Sequence, residues 1–95
     1  MKIVGIIWLH DVISKLAAKH GVESIEVEEL LGNRPRFQRI ARGKVAGEDM
    51  YAVTGQTDAG RYLIAFFVYK RSQEALIVSA RDMTSRERRR YGKQH

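Results

Sequence analysis

Basic side chains and one histidine are the residues of this chain that are best suited to chemistry. Lys19 and His20 end a helical pattern, Arg61 precedes the most apolar segment of the chain, and Arg81 follows the next apolar segment. RNA supplies its own nucleophile, the 2′-hydroxyl, so its cleavage needs a proton acceptor, a cation for the charged phosphorus intermediate and an acid for the leaving oxygen. Arginine suits the second role because its planar fork donates to two phosphate oxygens and stays charged. We therefore predict cleavage of a phosphodiester without a metal, with Arg61 and Arg81 on the phosphate and His20 with Lys19 in proton transfer.

The sequence contains no motif for a metal site, a cysteine nucleophile or a nucleotide-binding loop. The chain has no cysteine, and its three histidines, His10, His20 and His95, are far apart and lack metal-ligand spacing. Gly55 and Gly60 match neither glycine pattern of the nucleotide-binding loops. We expect neither a metal nor a cofactor.

The basic C-terminal segment is a candidate surface for RNA or a protein partner. Its arginines are spread around a predicted helix and cannot all face one phosphate. Glu87 has an alternative role as a helix-capping carboxylate, and Tyr91 has one as a side chain packed on the sheet. The corresponding alternatives are a helix-terminal role for His20 and solvated strand-end positions for Arg61 and Arg81. The predicted RNA-binding or partner-binding residues are Arg86, Glu87, Arg88, Arg89 and Tyr91.

Positive charge is concentrated in the later part of the chain. The formal net charge is +6, divided as −2 over residues 1–33, +4 over 34–80 and +4 over 81–95. Such a balance favours a polyanion or an acidic protein as partner. With 95 residues the chain is long enough for one domain, 1–95, and no segment has the length and apolarity of a membrane span. We expect a soluble, cytoplasmic protein.

Hydrophobic patterning predicts an α+β domain. The apolar start, 1–8, predicts a strand buried on both faces, and helical spacing follows from Leu9 to His20, where Gly21 ends it. Tyr62–Tyr69 is apolar at every position, so we expect both of its faces to be covered. The further predicted elements are a helix from Glu23 or Ser24 to Leu31, an edge strand with a bulge over Arg36–Arg42, a loop over Gly43–Asp49, strands over Met50–Thr54 and Ala75–Ala80, and a helix capped by Thr84 and Glu87.

The predicted order is β-α-α-β-β-β-β-α, with a mostly antiparallel sheet. The last two strands are expected to be antiparallel neighbours. Arg61 precedes the first of them and Arg81 follows the second, so both arginines are expected at the same end of the sheet. Two guanidinium groups there would gather positive charge at one spot.

Three motifs in order give the chain a family resemblance. They are Lys19-His20-Gly21-Val22, the stretch from Gly55 through Asp58-Ala59-Gly60-Arg61 to Leu63, and Ser79-Ala80-Arg81-Asp82-Met83-Thr84 followed by Glu87-Arg88-Arg89-Arg90-Tyr91. With these residues the chain resembles the BrnT toxin family over nearly its full length. The last motif is the most specific of the three.

The resemblance implies a bacterial type II toxin, a fold similar to RelE-like ribonucleases, an activity against RNA and a neutralising antitoxin of the BrnA kind. A homodimer and a toxin–antitoxin heterotetramer both stay open. The residues that match the polar motifs of the family are Lys19, His20, Arg61, Arg81, Glu87, Arg88 and Tyr91.

Four apolar residues depart from the family pattern. Leu9, Val12 and Leu16 occupy polar positions around the first helix, and Leu76 stands where many members carry arginine. The loss of polar side chains at these positions is compatible with altered nuclease activity. A basic module that binds RNA or an acidic protein without cutting is therefore the alternative to a ribonuclease, and a purely structural, self-associating domain is a third.

Overall fold

The structure, a computed structural model, describes residues 1–93. Over these residues it contains five strands and three helices in the predicted order, so the predicted α+β class is confirmed. The elements are β1 (Gly5–Ile7), α1 (His10–His20), α2 (Ser24–Gly32), β2 (Arg36–Ala41), β3 (Met50–Gln56), β4 (Tyr62–Tyr69), β5 (Glu74–Asp82) and α3 (Ser85–Lys93).

One sheet with the order β1-β5-β4-β3-β2 joins all the strands. Strand β1 runs parallel to β5, and every other neighbouring pair is antiparallel, including β4 and β5 as expected. Strand β2 lies at one edge and has a register shift between Arg39 and Ala41, which confirms the predicted edge strand with a bulge. The opposite edge is formed by β1.

The prediction for the first strand was wrong. Strand β1 has only three residues, all half-buried, and pairs with β5 alone. Much of the apolar run lies before it: Ile3 packs against the core, whereas Val4 is 56% exposed. A continuous apolar run cannot distinguish a central strand from a short edge strand with an apolar approach.

Helices α1 and α2 cover one face of the sheet and form the core with it. Leu16 of α1 and Val27 and Leu30 of α2 are at most 2% exposed, and they pack in one cluster with side chains of β3, β4 and β5. The strand members of that cluster are Val53, Leu63, Ala65, Phe67, Ala75, Ile77 and Ala80. Since the side chains of a strand alternate between faces, the remaining residues of β4 must point the other way.

Helix α3 lies on this other face and covers only one end of it. The Tyr91 ring meets the Tyr62 ring edge to face, at 6.2 Å between centroids. Further along the same face Phe66 and Val68 are only half-buried. The expectation that both faces of β4 are covered is therefore wrong for the described residues, 1–93.

Local signals set the ends of the helices. Gly21 ends α1 with a φ of 60°, a left-handed conformation that glycine adopts without strain. Thr84 and Glu87 form the predicted capping box, because the Thr84 Oγ1 accepts from the Glu87 amide and the Glu87 carboxylate accepts from the Thr84 amide. Helix α2 starts with a capping box of its own, between Glu23 and Glu26.

Candidate functional site

Arg61 lies just before β4, and all five of its N–H positions are directed at protein acceptors. Its Nε donates to Asp82 Oδ1 at 2.8 Å and its Nη2 to Asp82 Oδ2 at 3.3 Å. Its Nη1 donates to the Gly21 carbonyl at 2.8 Å and to Glu26 at 3.1 Å, and Nη2 also donates to the His20 carbonyl at 3.2 Å. The hydrogen bonds to Asp82 and then to Glu26 raise the pKa of Arg61. This guanidinium therefore fastens the α1–α2 turn to the sheet.

Lys19 and His20 lie in the last turn of α1, as predicted, and both are exposed. The Arg61 hydrogen bond is the main cause of the lowered pKa of Asp82, and the charge of His20 adds to it. His20 thus belongs to the same cluster as Arg61. We call Lys19, His20, Glu26, Arg61 and Asp82 the α1 cluster.

Arg81 lies near the end of β5 and is bound to α3. Its Nη1 and Nη2 donate to the two carboxylate oxygens of Glu87 at 2.8 and 3.0 Å, and Nη1 also donates to the Asp82 carbonyl at 3.1 Å. This bidentate pair is the main cause that lowers the pKa of Glu87 to about 2. The guanidinium also lies 5.6 Å from the centroid of the Phe66 ring.

Arg61 and Arg81 lie at the same end of the sheet but belong to different layers. The register pairs Leu63 with Asp82, and Ile64 with Arg81. Arg61 contacts the α1–α2 turn, whereas Arg81 contacts α3. The three carboxylates Glu26, Asp82 and Glu87 bind these two arginines. The expected concentration of positive charge is therefore wrong, because the ion pairs neutralise it.

The remaining predicted residues of α3 have separate surroundings. Arg88 stacks on the Tyr62 ring with its Cζ 4.0 Å from the centroid, while Arg86 and Arg89 are exposed. Tyr91 is only 4% exposed, donates to the Arg34 carbonyl at 3.1 Å, and has a pKa raised by burial. The alternative that Tyr91 packs on the sheet is therefore confirmed.

A groove of about 300 Å³ runs between α3 and the face of β2, β3 and β4. This volume is at the lower end of the range for small-ligand sites. Arg36 on β2 and Arg90 on α3 are exposed cations on its walls. We call it the α3 groove; its lining residues are Arg36, Phe37, Gln38, Ala52, Thr54, Ile64, Glu87, Arg90 and Tyr91.

Sequence reasoning missed the β2 side of this groove. From the sequence, Arg36 is only the first residue of a predicted edge strand. Arg36 pairs with Thr54, and Thr54 pairs with Ile64, which places all three in one row beneath α3. The alternation of Arg36 and Gln38 indicates that these two side chains share one face of β2. That this face borders a groove becomes clear only from the position of α3.

The four departures from the family pattern have different surroundings. Leu16 is 2% exposed in the core, and Val12 packs against the core. Leu9 is 49% exposed, and Leu76 is half-buried on the face of the sheet opposite α1 and α2. None of the four lines the α3 groove.

Within residues 1–93 no three His, Cys, Asp or Glu side chains are grouped closely enough to hold a metal ion. No helix of that range is long and apolar enough to cross a membrane.

Comparison with known proteins identifies the family. A search of the curated proteins finds no match. A family model described as "Ribonuclease toxin, BrnT, of type II toxin-antitoxin system" matches residues 10–87, which contain α1 to β5 and the start of α3. That match covers most of the 95 residues and contains the first two motifs and the third motif as far as Glu87. The chain therefore belongs to the BrnT family of ribonuclease toxins of type II toxin–antitoxin systems.

Proposed function

We propose that this chain cleaves RNA in the α3 groove without a metal ion. The observation that carries the proposal is the pair of exposed arginines, Arg36 and Arg90, on walls that also contain the ionised carboxylate of Glu87. Arginine forks bind phosphate oxygens in parallel, so these two side chains suit the backbone of RNA. Family membership supports the substrate class.

The reaction uses the 2′-hydroxyl of RNA as its nucleophile. As its oxygen forms a bond to phosphorus, its proton passes to Glu87, and the bond from phosphorus to the 5′-oxygen breaks. The leaving oxygen takes a proton from water, and the hydroxide so formed takes the proton back from Glu87, which gives a 2′,3′-cyclic phosphate, a 5′-hydroxyl and the original carboxylate. A carboxylate with a pKa of about 2 is a weak base, so most of the acceleration must come from the arginines that stabilise the charged intermediate.

Arg81 positions the carboxylate in this proposal. Its bidentate hydrogen bonds aim Glu87 and keep it ionised. The α1 cluster is the rival site, because His20 and Lys19 could transfer protons there. We favour the α3 groove since Arg61, the arginine of the α1 cluster, already donates in all five directions to protein oxygens.

Cleavage of RNA by variants decides between the two sites. Purified protein is incubated with total RNA in a chelator, and cyclic-phosphate ends are measured. We expect Arg36→Ala and Arg90→Ala each to lower the rate by about 10²-fold. Arg42→Ala, which removes an exposed cation outside the groove, is the matched control and should stay within about threefold.

His20→Ala should also stay within about threefold of the wild-type rate. Loss of cleavage in this variant, with Arg36→Ala unaffected, would place the chemistry in the α1 cluster. Cleavage that stops when the chelator is added would contradict the metal-free mechanism.

We propose that a separate antitoxin protein of the BrnA kind neutralises this activity in the cytoplasm of a bacterium. Membership of a toxin–antitoxin family supports such a partner. Growth arrest on expression of the chain, relieved by co-expression of the neighbouring reading frame, is the expected result. Arrest that the neighbour does not relieve would contradict this assignment.

A basic module that binds without cutting is the second candidate. The ion pairs of Arg61 and Arg81 favour it, because a guanidinium that is bound to carboxylates is less available to a phosphate. For such a module, RNA should stay intact at high protein concentration, and the protein should bind RNA with an affinity that depends on salt.

A further inference from the structure

The face of the sheet opposite α1 and α2 is apolar where α3 leaves it uncovered. The register aligns Met50 with Val68, Val68 with Leu76, and Leu76 with Ile7, so one row crosses four strands. Phe66 lies in the next row, beside Ala52. All five of these apolar side chains are half-buried, and none of them is among the residues of the core. We call Ile7, Met50, Phe66, Val68 and Leu76 the open face.

An antiparallel sheet with one solvated face normally carries polar side chains on that face. Here β4 is apolar on both faces, although Phe66 and Val68, on the face opposite α1 and α2, are only half-buried by the described residues. A contiguous, partly exposed apolar patch of this kind is typical of a surface that binds another molecule.

The two ends of the open face differ in charge, because the Glu48 carboxylate at the end away from α3 is balanced by Lys70. At the end near α3 the exposed cations Arg36 and Arg90 line the groove. At the other end Glu48 pairs with Lys70 at 2.7 Å, and Glu74 accepts a hydrogen bond from Ser72. An occupant that is apolar in its middle and acidic at the α3 end complements this pattern.

The backbone of the sheet indicates the conformation of the occupant. Strands β3, β4 and β5 each have a partner on both sides, so an added strand could not pair with them. A helix can instead pack its apolar stripe on the face of a sheet. A second copy of this chain is disfavoured because each copy carries a net charge of +6.

We infer that the open face is the docking surface of the antitoxin, which places an amphipathic helix on it with acidic side chains toward Arg36 and Arg90. This inference rests on the proposed function. Ala52 and Gln38 of the α3 groove lie in the same row as Phe66, so a helix on the open face would also cover the groove. Neutralisation then follows from exclusion of RNA.

The test measures binding of the protein encoded by the neighbouring reading frame, by calorimetry with the full-length chain. Leu76→Glu and Val68→Glu place a charge within the open face and should each weaken binding by about 50-fold. The matched control is Ile25→Glu, since Ile25 is 55% exposed on α2, in the opposite layer. The affinity of this control for the partner should stay within about threefold of the wild-type affinity.

Two additional measurements separate the inference from loss of folding or of activity. Circular dichroism checks each variant, and Leu76→Thr replaces any glutamate variant that does not fold, because threonine is compatible with a strand. Without the partner, Leu76→Glu should cleave RNA at the wild-type rate within about threefold. It should therefore stay active in the presence of a partner that inhibits the wild type.

Several results would overturn the inference. These are unchanged affinity in both glutamate variants, failure of the neighbour's product to bind the wild type, and a wild-type dimer that Leu76→Glu dissociates. Loss of RNA cleavage in Leu76→Glu with unchanged partner binding would assign the face to RNA instead. Failure of the proposed function has a different signature: the wild type leaves RNA intact, although its partner binding still depends on Leu76.

Discussion

Four arginines of this chain have two kinds of surroundings. Arg61 and Arg81 are bound to carboxylates, whereas Arg36 and Arg90 are exposed on the walls of a groove. Their positions at strand ends predicted that the first two bind the phosphate. The sequence could not show that Glu26, which is 35 positions from Arg61, would reach that guanidinium.

Removal of Arg61 should destabilise the fold. Arg61→Ala leaves Glu26 and the carbonyls of His20 and Gly21 without their charged donor, so we expect a loss of about 2 kcal/mol in the free energy of unfolding. Urea denaturation measures it, with Arg42→Ala as the control that should change by less than about 0.5 kcal/mol. If Arg61 instead acts on the phosphate, Arg61→Ala would abolish RNA cleavage at nearly unchanged stability.

The ion pair of Glu87 should make stability depend on pH in the acid range. Its pKa is lowered from 4.5 to about 2 in the folded state, so the folded protein binds fewer protons than the unfolded chain between these values. The stabilisation is therefore complete above about pH 5 and is lost as the pH falls toward 2. Because the side chain is 27% exposed, solvent screening limits the contribution to roughly 1–2 kcal/mol.

Urea denaturation of the wild type and Glu87→Gln over that pH range tests this contribution. The difference in free energy of unfolding between the two proteins should shrink as the pH falls. A difference that stays constant down to about pH 2 would show that the pair with Arg81 does not stabilise the fold.

At the scale of elements, local signals predicted more than long-range ones could. The Thr84–Glu87 capping box, the Gly21 helix stop and the bulged β2 are encoded within a few residues, and all three are found. The edge position of β1 depends on pairing with β5 about 70 residues later, and the sequence did not indicate it. The capping box predicted where α3 begins. The packing of α3 on the sheet depends instead on Tyr91 and on the ion pair between Arg81 and Glu87.

Gly55 allows α2 to approach β3 closely. A Cβ at this position would lie 3.0 Å from the Leu30 carbonyl oxygen and 3.3 Å from the Leu30 Cβ. Gly55→Ala must therefore displace α2, and we expect it to lower the free energy of unfolding by about 1–2 kcal/mol. In Gly32→Ala, the matched control at the end of α2, the new Cβ meets nothing within 4 Å, so stability should be unchanged or slightly higher. Equal stability in both variants would contradict a tight α2–β3 contact.

At the scale of the whole molecule, the two helical layers differ in charge. Residues 1–33, which contain α1 and α2, carry a net charge of −2, whereas 81–95, which contain α3, carry +4. The sheet separates these layers. A polyanion is therefore attracted to the α3 side and repelled from much of the α1–α2 side.

This asymmetry predicts how the affinity for RNA depends on salt. A 2′-O-methyl oligonucleotide lacks the nucleophilic hydroxyl, so its binding can be measured without cleavage. Each phosphate contact to a single strand contributes about −0.7 to the slope of log K against log salt concentration. Arg36→Ala and Arg90→Ala should each weaken binding and make the slope shallower by about 0.7. Lys15→Ala removes an exposed cation from α1, so both affinity and slope should stay at their wild-type values. A slope that responds to Lys15 but not to Arg36 would mean that RNA binds the layer of α1 and α2, because counterions are released only where phosphates are neutralised.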